Sequence, residues 1–188
     1  MIQVCSKKLK EVSEHLFYEI DMLNISAVKA NNAVRKKTIA IDKSDKEKMW
    51  KAQVELNLAL DSFAIHARNL IEFFKFKIIK GKNYVRAEHY LSKEDMVEFR
   101  ENIQENSALV KYIYSKATRQ VVHLTFDRIE PEFKGDNKAW DLKTVDDFNK
   151  IIKSFLELVS EEKLCPDLIK LKEIEKPSRS YIKQYIEG

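Results

Sequence analysis

Three glycines and three prolines are all that 188 residues provide for tight turns. Ordinary usage is about 7% glycine and about 5% proline. A sheet protein reverses direction every few residues, and its turns draw on glycine for positive φ and on proline for a pre-set φ. A chain this poor in both folds into few, long helices. Hydrophobic residues make up 44% of the sequence, enough for a core, and charged residues 34%, enough for a well-solvated surface. The fold expected is all-α: a helical bundle of about five main helices with a long central helix. One domain is expected over residues 1–175, a length that suits a single core, with a polar tail over 176–188.

Hydrophobic periodicity places the helices. Leu9, Val12, Leu16, Ile20, Leu23 and Ala27 recur at three- and four-residue steps, which predicts a first helix from Ser6 to about Asn31. The basic run Arg35, Lys36, Lys37 with Ile39 and Ile41 reads as a loop. The second helix is expected from Ser44, with Glu47 completing a capping box, to about Lys77. Its stripe is Met49, Leu56, Leu60, Phe63, Ala67, Leu70 and Phe74. At 1.5 Å per residue it spans about 50 Å and serves as the spine. Gly81 and Asn83 suit its stop. A third helix runs from Ser92 to about Ile103, capped by Ser92 with Asp95, and a fourth from Ser107 to Leu124. A loop holding Trp140 follows, and then a fifth helix capped by Thr144 with Asp147. Its core face is Phe148, Ile151, Ile152, Phe155 and Val159. Pro166 ends this helix or starts a short further one.

Several function classes lose support. Cys5 and Cys165 stand far apart with no Cys/His cluster, so no zinc site is expected, and they read as two thiols of a reducing cytosol or as one disulfide. No apolar run approaches the roughly 20 residues of a membrane span, and the N-terminal stretch does not read as a signal peptide. A cytoplasmic protein without membrane or cofactor is the expectation. The net charge of +4 permits nucleic-acid binding without requiring it.

Two clusters could carry chemistry. In ATRQVVHLTFDR, Arg119 and His123 are four apart and share a helix face. That face then offers a fixed cation beside a group that titrates near neutral pH. Cleavage of RNA through the 2′-hydroxyl needs those parts, a cation for the phosphate and a group to move the proton. Lys116 lies on the same helix, and it joins Arg35, Lys36 and Lys37 as a candidate for backbone phosphates. The plainer reading is a solvated helix face. In FAIHARNLIEFF, His66 and Asn69 are three apart on one face. They are expected either to be hydrogen-bonded inside the bundle or to line a cleft. Arg68 is about 200° from His66 around the helix, and an Arg68–Glu72 ion pair is its ordinary explanation. His15 and His89 show no evident partner.

A helical bundle with an Arg…His pair on one helix resembles the HEPN superfamily. The stretches HARNLIEFF and VVHLTFDR also resemble a set of small bacterial proteins of unassigned function. The HEPN resemblance implies an all-α dimer, found in defence and toxin–antitoxin systems. Many members are metal-independent ribonucleases whose site forms across the dimer from an arginine and a histidine. Carried over here, Arg119 would hold the scissile phosphate and His123 would move the proton. In RQVVH three residues separate the two, one fewer than the family pattern. Other members are non-catalytic dimerisation or partner-binding modules, and that is the alternative reading.

Overall fold

The computed structural model describes residues 5–74, 84–105, 107–117 and 144–174. Six α-helices are present among these residues, and no strand: α1 (Ser6–Asp42), α2 (Lys46–Phe74), α3 (Lys93–Glu105), α4 (Ser107–Ala117), α5 (Thr144–Leu158) and α6 (Pro166–Glu173). Single 3-10 turns at Ala87–His89 and Glu161–Lys163 precede α3 and α6. Pro166 is the first residue of α6, where its missing N–H costs nothing. The continuation of the fourth helix to Leu124, the Trp140 loop, the Gly81–Asn83 stop and the tail lie outside the described residues, and of Thr144, the expected cap, the structure describes only the backbone, as the first residue of α5.

The first expectation to need correction is the loop at 33–43. No break follows Asn31 and Asn32, because α1 runs on to Asp42 and reaches 37 residues. Ala30, Ala33 and Ala40 continue the buried face past the asparagines, and α2 answers with Ala52 and Ala59. This packing outweighs the modest local penalty of the asparagines and isoleucines. Arg35, Lys36 and Lys37 therefore stand on a helix.

A tight turn joins α1 to α2. Asp45 N donates to Ala40 O and Ser44 N to Ile41 O, both at 2.9 Å. These are the two bonds of a Schellman motif, and Ser44 takes the left-handed position at φ 53°. Ser44 is thus the stop of α1, not the cap of α2. The cap is Asp45, whose Oδ1 accepts the Lys48 N–H at 3.0 Å. One aspartate ends one helix and starts the next, which holds the turn to its minimum length.

The two helices are antiparallel. Lys36 Nζ meets Glu55 Oε2 at 2.7 Å, Lys37 Nζ meets Gln53 Oε1 at 2.6 Å, and Glu19 reaches His66. In each case the partners lie at nearly equal distances from Ser44 along the chain. The hairpin has two parts. At its base, Leu9 to Ala27 and Phe63 to Phe74 share one core with α3 to α6. Beyond it, every fully buried apolar side chain is alanine: Ala30, Ala33, Ala40, Ala52 and Ala59. They follow a three-four rhythm and let the helices approach closely. This outer part is the arm of the molecule.

The base is held by aromatic rings. Phe155 of α5 makes edge contacts with Phe73 and Phe74 of α2 at 5.3 and 5.5 Å and with Tyr90 at 5.9 Å, and packs tilted on Phe99 of α3 at 5.6 Å. Such pairs add about 0.5–1.5 kcal/mol each to the effect of burial. The core face expected for the fifth helix, Phe148, Ile151, Ile152, Phe155 and Val159, is buried throughout. The capping box of α3 is present, with Asp95 N donating to Ser92 Oγ at 3.0 Å and Ser92 N reaching Asp95 Oδ2 at 3.4 Å.

Polar ties lock the layers. Tyr90 Oη donates to Leu9 O at 2.9 Å, and burial holds its phenol well above the ordinary value. Cys165 N donates to Ser13 Oγ, which donates in turn to Lys10 O, both at 2.6 Å. Both cysteines are free thiols, Cys5 exposed and Cys165 buried. No helix among the described residues is long and apolar enough to cross a membrane.

Candidate functional site

The second half of α2 carries the chemistry-bearing residues the structure describes. His66 is buried, with Nδ1 2.7 Å from Glu19 Oε2 and its ring edge-on to Tyr18. Asn69 Nδ2 donates to the same Glu19 oxygen at 3.1 Å. The shared face expected for His66 and Asn69 is real, and one carboxylate on α1 binds both. Of the two readings left open for the pair, hydrogen bonding within the bundle is what the structure shows for His66. A buried imidazole with a carboxylate on Nδ1 meets the demand that buried polar groups be paired. Asn69 also reaches a groove.

That groove lies between α2 and the segment Tyr84–Arg86 and encloses about 520 Å³. Ile65, Phe73 and Val85 supply its apolar walls, and Arg68, Asn69, Glu72, Tyr84 and Arg86 its polar ones. The Arg68 guanidinium carbon sits 5.8 Å from the centre of the Tyr114 ring. This cation–π contact joins α2 to α4, and it replaces the expected Arg68–Glu72 pair as the account of where Arg68 goes. Tyr84 is half exposed, while Arg86 is buried. The Arg86 N–H donates to His89 Nδ1 at 3.0 Å, so His89 has a partner after all, in the backbone. Two guanidiniums outnumber the Glu72 carboxylate, and with one amide and a half-exposed phenol ring on an apolar floor they can hold an anionic group and stack a flat one.

The basic run divides. Lys36 is paired with Glu55, and Lys37 is bonded to Gln53. Arg35 is exposed and has no partner among the described residues. Arg35 and Lys36 line a second groove, of about 710 Å³, along the arm. Lys116 belongs to the last turn of α4, while Arg119 and His123 lie outside the described residues. The structure thus brings Arg68, Asn69, Arg86 and Tyr84 into one groove, with His66 outside it and tied to Asn69 through Glu19, and it places the Arg35–Lys37 run elsewhere on the hairpin. No group of three His, Cys, Asp or Glu among the described residues could hold a metal.

Glu19, Tyr84 and Arg86 carry no motif that marks them in the sequence. Glu19 is within reach of sequence reasoning all the same. Once the hairpin turn is placed at Ser44, residues equally far from it share a height, and Glu19 then falls beside His66 and Asn69. Comparison with protein families, curated proteins and solved structures finds no match for this chain.

Proposed function

We propose that this chain is a HEPN-like helical protein that acts on RNA, cleaving it without a metal ion. The observation that carries the reading is the groove in which Arg68, Arg86, Asn69 and Tyr84 meet. Arginines suit phosphate, and a half-exposed tyrosine suits an unstacked base, which is how single-stranded RNA is commonly held. Arg68 also touches Tyr114, one turn before the described end of α4, and the chain continues from there into Arg119 and His123. In this reading the groove holds nucleotides flanking the scissile bond. Arg119 steadies the phosphate, and His123 takes the 2′-hydroxyl proton or returns one to the leaving oxygen. Lys116 and Arg35 add long-range attraction, while Lys36 and Lys37, already engaged with α2, add less.

The test is incubation of labelled single-stranded RNAs with purified protein in excess EDTA, with wild type beside His123→Ala and Tyr84→Ala. Expected are wild-type products ending in 2′,3′-cyclic phosphate, binding without cleavage by His123→Ala, and weakened binding by Tyr84→Ala. Cleavage by His123→Ala at the wild-type rate removes the role given to His123. Failure of the wild-type protein to bind or cut any of the RNAs refutes the RNA reading as a whole.

A second reading is a non-catalytic interaction module. One observation favours it: Val34, Ile39, Ile41, Trp50, Val54 and Leu58, all on the arm, are large apolar side chains left exposed.

A further inference from the structure

The arm groove differs in kind from the groove at Arg68, and the two share no lining residue. It follows α1 from Met22 to Ile39, about 26 Å at 1.5 Å per residue, with α2 as its other wall. The alanine seam holds the two helices close, and larger apolar side chains stand beside it in the groove: Ile25 and Ile39 on α1 and Leu58 on α2. Ile39 is 55% and Leu58 65% exposed. At the base, α3 to α6 complete the core of the hairpin. The buried alanines of the arm stand outside that core, so among the described residues the arm is a two-helix layer with its groove uncovered.

The charges of the groove lie on one edge. Between Met22 and Ile41, α1 carries Lys29, Arg35, Lys36 and Lys37 and no acid. Glu55 is the single acid among the described lining residues, and Lys36 neutralises it at 2.7 Å. Lys29 and Arg35 also line the groove, are exposed and have no partner among the described residues. Two uncompensated positive charges therefore remain, both on the α1 side.

We infer that the arm groove docks an amphipathic helix of a protein partner, one with an apolar stripe and an acidic edge. The stripe seats on Ile25, Ile39 and Leu58 and turns the two-helix arm into a three-helix bundle, the mode in which an apolar groove takes a helix. The acidic edge lies along α1, against Lys29 and Arg35. A basic helix meets repulsion from the same two residues. RNA fits poorly, because the described lining is aliphatic and offers no ring on which a base can stack. A flat membrane surface does not fill a concave groove. This inference rests on the interaction-module reading and does not need RNA cleavage.

The experiment titrates the full chain into two labelled synthetic helical peptides of about 18 residues, long enough to span the groove, and reads fluorescence anisotropy. Both peptides carry a leucine stripe at three- and four-residue steps; one has glutamates beside the stripe and the other lysines. Wild type is expected to bind the glutamate peptide about tenfold or more tighter than the lysine peptide, with a preference that shrinks as salt rises. Leu58→Asp is expected to abolish binding, and Lys29→Glu combined with Arg35→Glu to reverse the preference. Val97→Asp, at an exposed apolar site on α3, is expected to change nothing. All four sites are exposed, and unchanged helical circular dichroism shows that each variant folds. Equal binding of the two peptides overturns the inference. Binding indifferent to Leu58→Asp overturns the site and leaves the module reading standing. Binding of neither peptide by a protein that cuts RNA overturns the inference and the module reading together. Self-association, or RNA binding, that Leu58→Asp abolishes gives the groove to a second copy or to RNA and also overturns the inference.

Discussion

Replacing Asn149 by leucine should destabilise the protein more than replacing it by alanine, although leucine buries more apolar surface. Asn24 of α1 and Asn149 of α5 are both buried. Asn149 Nδ2 donates to Asn24 Oδ1 at 2.8 Å, while Asn24 Nδ2 donates to Ile20 O at 2.9 Å and reaches Asn149 Oδ1 at 3.4 Å. Removing Asn149 leaves Asn24 Oδ1 without a donor, a loss of about 1–3 kcal/mol. The access of water sets where in that range each variant falls. A cavity of about 10 Å³ adjoins the pair, at the lower limit of what one water needs. Alanine enlarges that space, so a water can reach Asn24 and hold the cost to about 1 kcal/mol. Leucine fills it, and the cost stays near 2–3 kcal/mol. In urea, with an m-value near 2 kcal/mol/M, the leucine variant should lose about 1 M in midpoint and the alanine variant about half that. Leucine at both positions removes donor and acceptor together and should recover most of the loss. If the two leucine substitutions are simply additive, the amides are not coupled and the reasoning is wrong.

The hairpin turn gives two further expected outcomes. Ser44→Gly should raise the thermal midpoint by one or two degrees. Glycine relieves a left-handed cost of about 1–2 kcal/mol but gives back about 0.4–1 kcal/mol in unfolded-chain entropy; a lower midpoint would argue against the φ of 53°. Asp45 accepts the Lys48 N–H and pairs with the Lys48 ammonium, and these hold its carboxyl below the ordinary 3.8. A depressed carboxylate stabilises the fold above its unfolded value and loses that contribution as pH falls through its folded value. Wild-type stability should therefore drop below about pH 4 more steeply than that of Asp45→Asn, whose amide oxygen still accepts the N–H; parallel acid limbs would show that the carboxylate charge is idle.

Much of the architecture can be read from residue spacing alone. The scarcity of glycine and proline points to helices, and the stripes of α1, of α2 from Phe63 on and of α5 mark faces that the structure buries, whereas Met49, Leu56 and Leu60 of the expected α2 stripe are only partly buried. The arm is less legible for a physical reason. Its seam is alanine, and alanine gives little contrast against lysine and asparagine in a hydrophobic pattern, so Ala30, Ala33 and Ala40 form no visible stripe and Asn31–Asn32 reads as a stop. The cap at Ser44 is off by one residue because serine and aspartate both suit a helix start, and only the φ of Ser44 separates them. His66 and Asn69 are visible as a pair, but their partner Glu19 is distant in sequence and needs the hairpin register to be found. Arg86 and Tyr84 have no local pattern at all; tertiary packing alone brings them to α2.

The alanine seam has a consequence for how the arm behaves. Each of its buried side chains is a single methyl, worth about 0.8 kcal/mol on burial, against about 1.5–3 kcal/mol for each large side chain at the base. The spacing of the two helices is therefore tightly set while their cohesion is shallow. Local opening starts at the cheapest contacts, so the arm unzips from its tip while the phenylalanine-lined base stays closed. Whatever seats on the arm then contributes to keeping it zipped, and occupancy and local order become one linked equilibrium.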